Sequence, residues 1–312
     1  MRQINYSDEF LTLAARLCYI DHIPQQKVAQ MLQVSQAKIS RLLAMARERG
    51  IVRIEVNDYQ PRNYELEQRI EKELALKEVY VIKSIGGGSQ SGTGYFGGEI
   101  FADTLASGIK IGLAGGRTIL QLADGMLKSE MPKLITYVQL MGNVGSCPET
   151  TDASEIGRKL AAAAGSFVSL NTPVFVYDRQ LRDNLRRDPQ IKQVVECYNH
   201  LDIALVGVGI PENSIFSAGK VVLKEDALKL KSQGVVGEIC GRFFDSQGNE
   251  CQTDFKDRVM AVKLETLRKI PRSLGIVSDT DRSAAIIAAA KGGIINGLLT
   301  NEAAAAALLK IV

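Results

Sequence analysis

The chain has 312 residues, 46% hydrophobic and 23% charged, with a formal net charge of +3. That length accommodates two domains, the composition excludes long disorder, and the small charge excludes a polycationic coat for nucleic acid. The five cysteines (Cys18, Cys147, Cys197, Cys240 and Cys251) are odd in number and lack CxxC spacing, and His22 and His200 are the only histidines. Neither a disulfide framework nor a histidine metal site is expected. The opening MRQINYSDEF has no signal-peptide core, and no apolar run reaches the roughly 20 residues of a membrane helix. A cytoplasmic protein with free thiols and no membrane partner is expected.

Ser7 to Ile20 reads as a first helix, with Ser7 as its cap, Asp8 and Glu9 suiting its positive end, and Phe10, Leu13, Ala14 and Leu17 on its apolar face. Pro24 suits the first position of a second helix running to Leu32, and Ser35 can cap a third. In that third helix Ile39, Leu42, Leu43 and Ala46 form an inward stripe at 3.6-residue spacing. Ala37, Arg41, Ala44 and Glu48 then turn outward, Lys38 and Ser40 flank them, and Gln36 occupies the exposed first turn. Gly50 suits a C-cap, and Ile51 to Val56 alternates like a strand. Helix, helix, turn, helix, strand is the order of a winged helix-turn-helix domain over residues 1–56, which binds double-stranded operator DNA. In that reading Gln36 and Arg41 meet base edges, Ala37 a thymine methyl, and Lys38 and Ser40 phosphates. The alternative is a helical hairpin with a solvated polar face. Through Arg62 there are nine Lys and Arg against six Asp and Glu, so the basic excess of the whole chain lies here.

Residues 57–78 read as a linker, containing Pro61, and a connecting helix from Tyr64 to Ala75 with Leu66, Ile70 and Leu74 on a stripe. Beyond Val79 short apolar runs alternate with helical ones. VYVI (79–82), KIGLAG (110–115), TYVQLMG (136–142), SFVSL (166–170), DIALVGVG (202–209), SLGIVS (273–278) and GLLT (297–300) read as buried strands. Strands apolar on both faces, separated by helices, predict an open, mostly parallel α/β sheet over 79–312. Ligands of such sheets lie beyond the carboxyl ends of strands. Three glycine-bearing ends stand out: Gly112 to Thr118, Gly142 to Gly145 and Gly207 to Gly209. The first runs into a helix, so its amides with Arg117 and Thr118 suit a phosphate or clustered hydroxyls. No P-loop lysine motif is present, and no cofactor is expected. Gly86 to Gly98 reads as a connector, with Gly97 and Gly98 allowing close packing. Val235 to Gly248 holds Glu238, Arg242 and Asp245, either lining a polar cavity or pairing at a turn.

Several stretches taken together carry a resemblance: VAQMLQVSQAKISRLLAMARERGIVRIEV, GLAGGRTI, FVYDRQLRDNLRRDPQIKQVVE, DIALVGVG, GVVGEICGRFFD, LRKIPRSLGIV and LLTNEAAAAALL. In order and spacing they resemble the SorC-type sugar-binding transcriptional regulators of bacteria over nearly the whole length. The resemblance implies a DNA-binding domain, an effector domain related to sugar-phosphate isomerases and deaminases, a sugar or sugar-phosphate effector, and a dimer or tetramer. Carried onto matching positions, the effector site takes Gly115, Gly116, Arg117 and Thr118, with Asn143, Gly209 and Glu238 contributing. Members often have serine and tryptophan at the positions of Ala114 and Gly115. They have a glycine pair and a lysine where this chain reads SDTDR, leaving Arg282 as the cation there. The rival reading, a phosphosugar isomerase or deaminase with an appended DNA-binding domain, needs a general base, for which Glu238 and Asp254 are the candidates. No catalytic residue is assigned, because a shared fold does not carry its enzymes' chemistry.

Overall fold

The computed structural model describes residues 6–55, 59–84, 91–145, 149–213, 215–219 and 221–312. The chain divides into two compact units, Met1–Gln60 and Pro61–Val312.

The first unit contains three helices around one small core: α1 (Asp8–Ala15), α2 (Gln25–Met31) and α3 (Gln36–Glu48). Ser7 caps α1, its Oγ accepting from Phe10 N–H at 3.3 Å, and Ser35 caps α3 by accepting from Lys38 N–H at 3.2 Å. Helix α1 ends earlier than the sequence predicts, passing at Arg16–Ile20 into a wider π turn closed by Asp21 N–H on the Arg16 carbonyl. Its buried residues are Leu11, Ala14 and Ala15, whereas Leu13, expected on the apolar face, is 44% exposed. Ile39, Leu42, Leu43 and Ala46 of α3 are all buried, at roughly 1.5–3 kcal/mol for each large side chain removed from water. The strand expected over Ile51 to Val56 does not form among the described residues. Ile51 and Val52 instead donate their N–H groups to the Ala46 carbonyl and pack on the helical core, leaving Ile54 58% exposed. An alternating segment needs a paired neighbour to become a strand, and no described neighbour pairs with it here.

In the second unit the order is α4 (Tyr64–Leu74), β1 (Glu78–Ile82), α5 (Ser91–Ala102), β2 (Lys110–Leu113), α6 (Arg117–Met126), β3 (Ile135–Gln139), α7 (Ala153–Ala164), β4 (Gly165–Val168), α8 (Arg179–Arg187), α9 (Pro189–Cys197) and β5 (Ile203–Gly207). It continues with α10 (Ile215–Ala218), α11 (Lys224–Ser232), β6 (Gly237–Ile239), β7 (Arg242–Phe244), α12 (Leu264–Leu267), β8 (Arg272–Ile276), α13 (Ser283–Lys291), β9 (Gly297–Asn301) and α14 (Glu302–Leu308). Seven strands form one parallel sheet in the order β1-β9-β8-β5-β2-β3-β4, while β6 and β7 make a separate antiparallel hairpin. Alternate residues feed separate clusters on the two faces: Val79, Val81, Ala204 and Val206 on one, Tyr80, Ile82, Ile203 and Leu205 on the other. Strand order reverses between β2 and β5, which pair directly, so their carboxyl ends flank a switch point.

Helix α4, expected as a connector, belongs to the second unit and packs on β1. Its Glu67, buried among apolar neighbours, takes a two-pronged bond from Arg62 (3.0 and 2.8 Å) and a third from Val81 N–H. Helix α5 begins at Ser91, inside the glycine-rich stretch read as a connector; residues 86–90 lie outside the described ones. Its glycines pack against α6: a Cβ at Gly94 would strike Gln121, one at Gly98 the Leu122 carbonyl, and one at Gly125 the Tyr95 carbonyl. Glycine here lets two helices approach at backbone distance, which outweighs its low helix propensity. Among the described residues no helix is long and apolar enough to cross a membrane.

Candidate functional site

A cavity of about 500 Å³ opens at the switch point, built first from the ends of β2 and β5. Ala114, Gly115 and Gly116 leave β2 and turn into α6, whose Arg117 and Thr118 face the same space. Gly116 takes φ +130°, which L side chains rarely adopt, and anchors the turn by donating to the Thr151 carbonyl at 2.8 Å. Among the described residues no side chain caps the first amides of α6, so its positive end is open to a ligand. From β5 come Gly207, Val208 and Gly209. Gly209 exchanges two backbone bonds with Glu238 (2.9 Å each), and a Cβ there would run into the Glu238 carboxylate.

The remaining wall comes from segments distant in sequence. The β6–β7 hairpin supplies Glu238 from β6 and Cys240 from its turn, both buried. Burial pushes the Glu238 carboxyl up to about 7, against the opposing pull of the Gly241 N–H (3.2 Å) and the Arg282 charge. Burial likewise raises the Cys240 thiol, so it stays protonated. Arg282, in the turn before α13, is buried; its Nε lies 3.3 Å from Asp281 and one terminal nitrogen 3.5 Å from Asp279. Its other terminal nitrogen, Nη1, is wholly buried without a hydrogen-bond partner. A buried donor on a charged group is costly to leave unmade, so an anion or carbonyl oxygen at this point would relieve that cost. Among the described residues no group of three His, Cys, Asp or Glu is placed to hold a metal ion.

Gly115, Gly116, Arg117, Thr118, Gly209, Glu238 and Arg282 thus surround one cavity. Asn143 does not line it. Its side-chain oxygen accepts from Gln139 at 2.9 Å while its backbone pairs with Thr172 and Val174, and neighbouring Met141 and Val144 line the cavity instead. Asp254 also lies outside it, exposed and bonded to Lys229. Sequence reasoning missed Asp152 and Asp279. Asp152 is buried and accepts from Glu149 and Val144 amides, holding the loop beside the cavity. Asp279 lies in the SDTDR run beside Arg282, and an acid next to that cation was the available signal.

In the first unit, Gln36, Ala37, Ser40 and Arg41 are exposed on α3, opposite its buried stripe. Lys38 is half-buried, its ammonium 5.1 Å from the centre of the Tyr6 ring.

Residues 60–310 match the sugar-binding domain family (Sugar-bind). The chain belongs to the SorC-type sugar-binding transcriptional regulators. It is 31% identical to the deoxyribonucleoside regulator of Bacillus subtilis over 302 residues, covering 95% of this chain and 96% of that one. To the sorbitol operon regulator of Klebsiella pneumoniae it is 27% identical, over 95% of this chain and 96% of that one. The crystal structure of that full-length regulator superposes with a TM-score of 0.76, covering 98% of this chain and 100% of the other. These SorC-type relatives are regulators with a sugar-binding domain, and this chain is a transcriptional regulator rather than an enzyme.

Proposed function

We propose that the chain is a cytoplasmic regulator that binds operator DNA through α3 and releases or tightens it when a sugar phosphate occupies the switch-point cavity. The observation that carries the effector half is Arg282: a buried guanidinium with an unpartnered donor, lining the same cavity as the open amino end of α6. Both features seek an oxyanion, and the nearby Glu238 can exchange hydrogen bonds with sugar hydroxyls. Gly115, Gly116, Arg117, Thr118 and Gly209 complete the cradle in this reading. The DNA half rests on a tight helix pair whose second helix exposes Gln36, Ala37, Ser40 and Arg41, with Lys38 beside them. A dimer would present two such helices, and a tetramer four, to half-sites spaced by whole turns of DNA.

The effector acts only by binding one arrangement of the protein more tightly than another. The test joins both halves: operator binding and thermal stabilisation by sugar phosphates, measured on the wild type, Arg41→Ala and Arg282→Met. Arg41→Ala should weaken operator binding by about tenfold or more, the worth of one bidentate base contact, with sugar-phosphate stabilisation unchanged. Arg282→Met should do the reverse. Equal operator affinity in Arg41→Ala would overturn the DNA assignment, and undiminished phosphosugar binding in Arg282→Met the effector assignment.

A further inference from the structure

The chain enters the second unit through an isolated antiparallel bridge, Arg62 to Ile82. Pro61 to Asn63 runs antiparallel to the end of β1, the edge of the sheet, with Asn63 N–H donating to the Val81 carbonyl (2.8 Å) and Lys83 N–H to the Pro61 carbonyl (2.7 Å). One carboxylate then staples this incoming segment to the residues after β1. Glu302 accepts from the Asn63 side-chain amide at 2.8 Å and from Ser84 N–H at 2.9 Å.

Lys83 and Ser84, so tied, also form the wall of a second cavity, of about 400 Å³, at the carboxyl ends of β1, β8 and β9. Asn213 and Asp279 line both cavities. Arg282 lies at that shared boundary, one of its nitrogens 3.5 Å from Asp279. The second cavity differs in chemistry from the first. It is rich in hydroxyls and carboxamides, and its charged groups are Lys83 against Asp279 and Asp281. Lys83 makes no ion pair or side-chain hydrogen bond with the described residues. Asp279 and Asp281 already sit on Arg282, and sugar hydroxyls can donate to such carboxylates and accept from the Lys83 ammonium.

We propose that the second cavity holds the polyhydroxylated end of an elongated sugar phosphate whose phosphate lies in the first, and that its grip on Lys83 and Ser84 tightens the strand pairing of Pro61 to Asn63. The proposal rests on the effector reading above. It gives that reading a specific path: the far end of the effector touches the residues that hold the chain arriving from the DNA-binding unit. A ligand too short to reach past Asp279 occupies the first cavity alone and leaves this pairing unaltered. Coupling then depends on ligand length, as differential binding requires.

The experiment is amide hydrogen exchange on the full chain with inorganic phosphate, glycerol 3-phosphate, ribose 5-phosphate, glucose 6-phosphate and sorbitol 6-phosphate as probes. The expected result is that a five- or six-carbon phosphate slows exchange at Asn63, Lys83 and Ser84 severalfold, while inorganic phosphate binds without doing so. Lys83→Ala and Lys83→Met should bind inorganic phosphate as the wild type does, lose at least fivefold in affinity for the long probe, and shift its effect on operator binding to higher concentration. Phosphosugar binding with unchanged exchange at all three amides would overturn this proposal alone. Wild-type affinity for the long probe in both lysine variants would do the same. Failure of every probe to bind would overturn the effector reading and this proposal together.

Discussion

Glu238 and Arg282 face the same cavity as a buried acid and a buried base that make no direct salt bridge. Each is held short of full satisfaction: Glu238 accepts one backbone N–H, and Arg282 keeps one donor unpaired. Unpaired buried polar groups are destabilising, and a binding site is where a fold tolerates them. The acid has a measurable consequence. Burial raises its folded-state pKa from the ordinary carboxyl value of 4.5 to about 7. Between those values the unfolded chain has released its proton and the folded one retains it, so this group's contribution to stability falls as pH rises from about 4.5 to about 7. The loss is on the order of 3 kcal/mol for a shift of that size. Glu238→Gln cannot titrate and should flatten this part of the profile, raising stability at pH 8 relative to pH 5 when compared with the wild type. Urea unfolding across that range checks it; a variant profile parallel to the wild type would show that Glu238 stays charged in the folded protein.

At the scale of elements, the α5–α6 contact shows how a glycine-rich sequence becomes a packed helix. Gly94 and Gly98 recur at four-residue spacing on α5, and Gly125 lies opposite on α6. A side chain at any of them meets backbone atoms rather than a movable side-chain tip. Gly98→Ala should therefore destabilise the second unit by about 1–3 kcal/mol, although alanine is the better helix former, because overpacking outweighs propensity. A control sits at Gly108, where φ is +80° but a Cβ would meet nothing within 4 Å. Gly108→Ala should incur only the backbone strain, and chemical denaturation of both variants separates the two costs. Greater stability in Gly98→Ala would mean that the helices can separate without loss.

For the whole molecule, the two units have separate cores. The first unit has a small helical core around Leu11, Val28, Ile39 and Leu42, and the second has two apolar clusters on either face of a seven-stranded sheet. Separate cores of such different size should melt separately, and calorimetry of the full chain should resolve two transitions. A saturating sugar phosphate should raise the second by about 2.7 kcal/mol at a hundredfold excess over its Kd, and operator DNA should raise the first. One cooperative transition that both ligands shift equally would show that the units unfold as one.

Periodicity alone determined much of this protein. All seven strands of the sheet were legible as short runs; six are buried along nearly their whole length and so have no polar alternation to obscure them, while edge strand β4 is exposed over Gly165 and Ser166. The inward stripe of α3 was legible because Ile39, Leu42, Leu43 and Ala46 repeat at helical spacing and a helix buries one face as a unit. The strand over Ile51 to Val56 failed because strand formation depends on a partner that no local pattern reveals. Glycine in α5 misled because its value there lies in what it allows another helix to approach. The cavity was half legible. Glycine loops marked the ends of β2 and β5, but Asn143 turned its side chain to Gln139, and Asp152 became part of the site through folding alone. Chain order reveals which residues lie in strand-end loops. Which of those loops meet is set by the reversal of strand order between β2 and β5, and only the tertiary structure decides that.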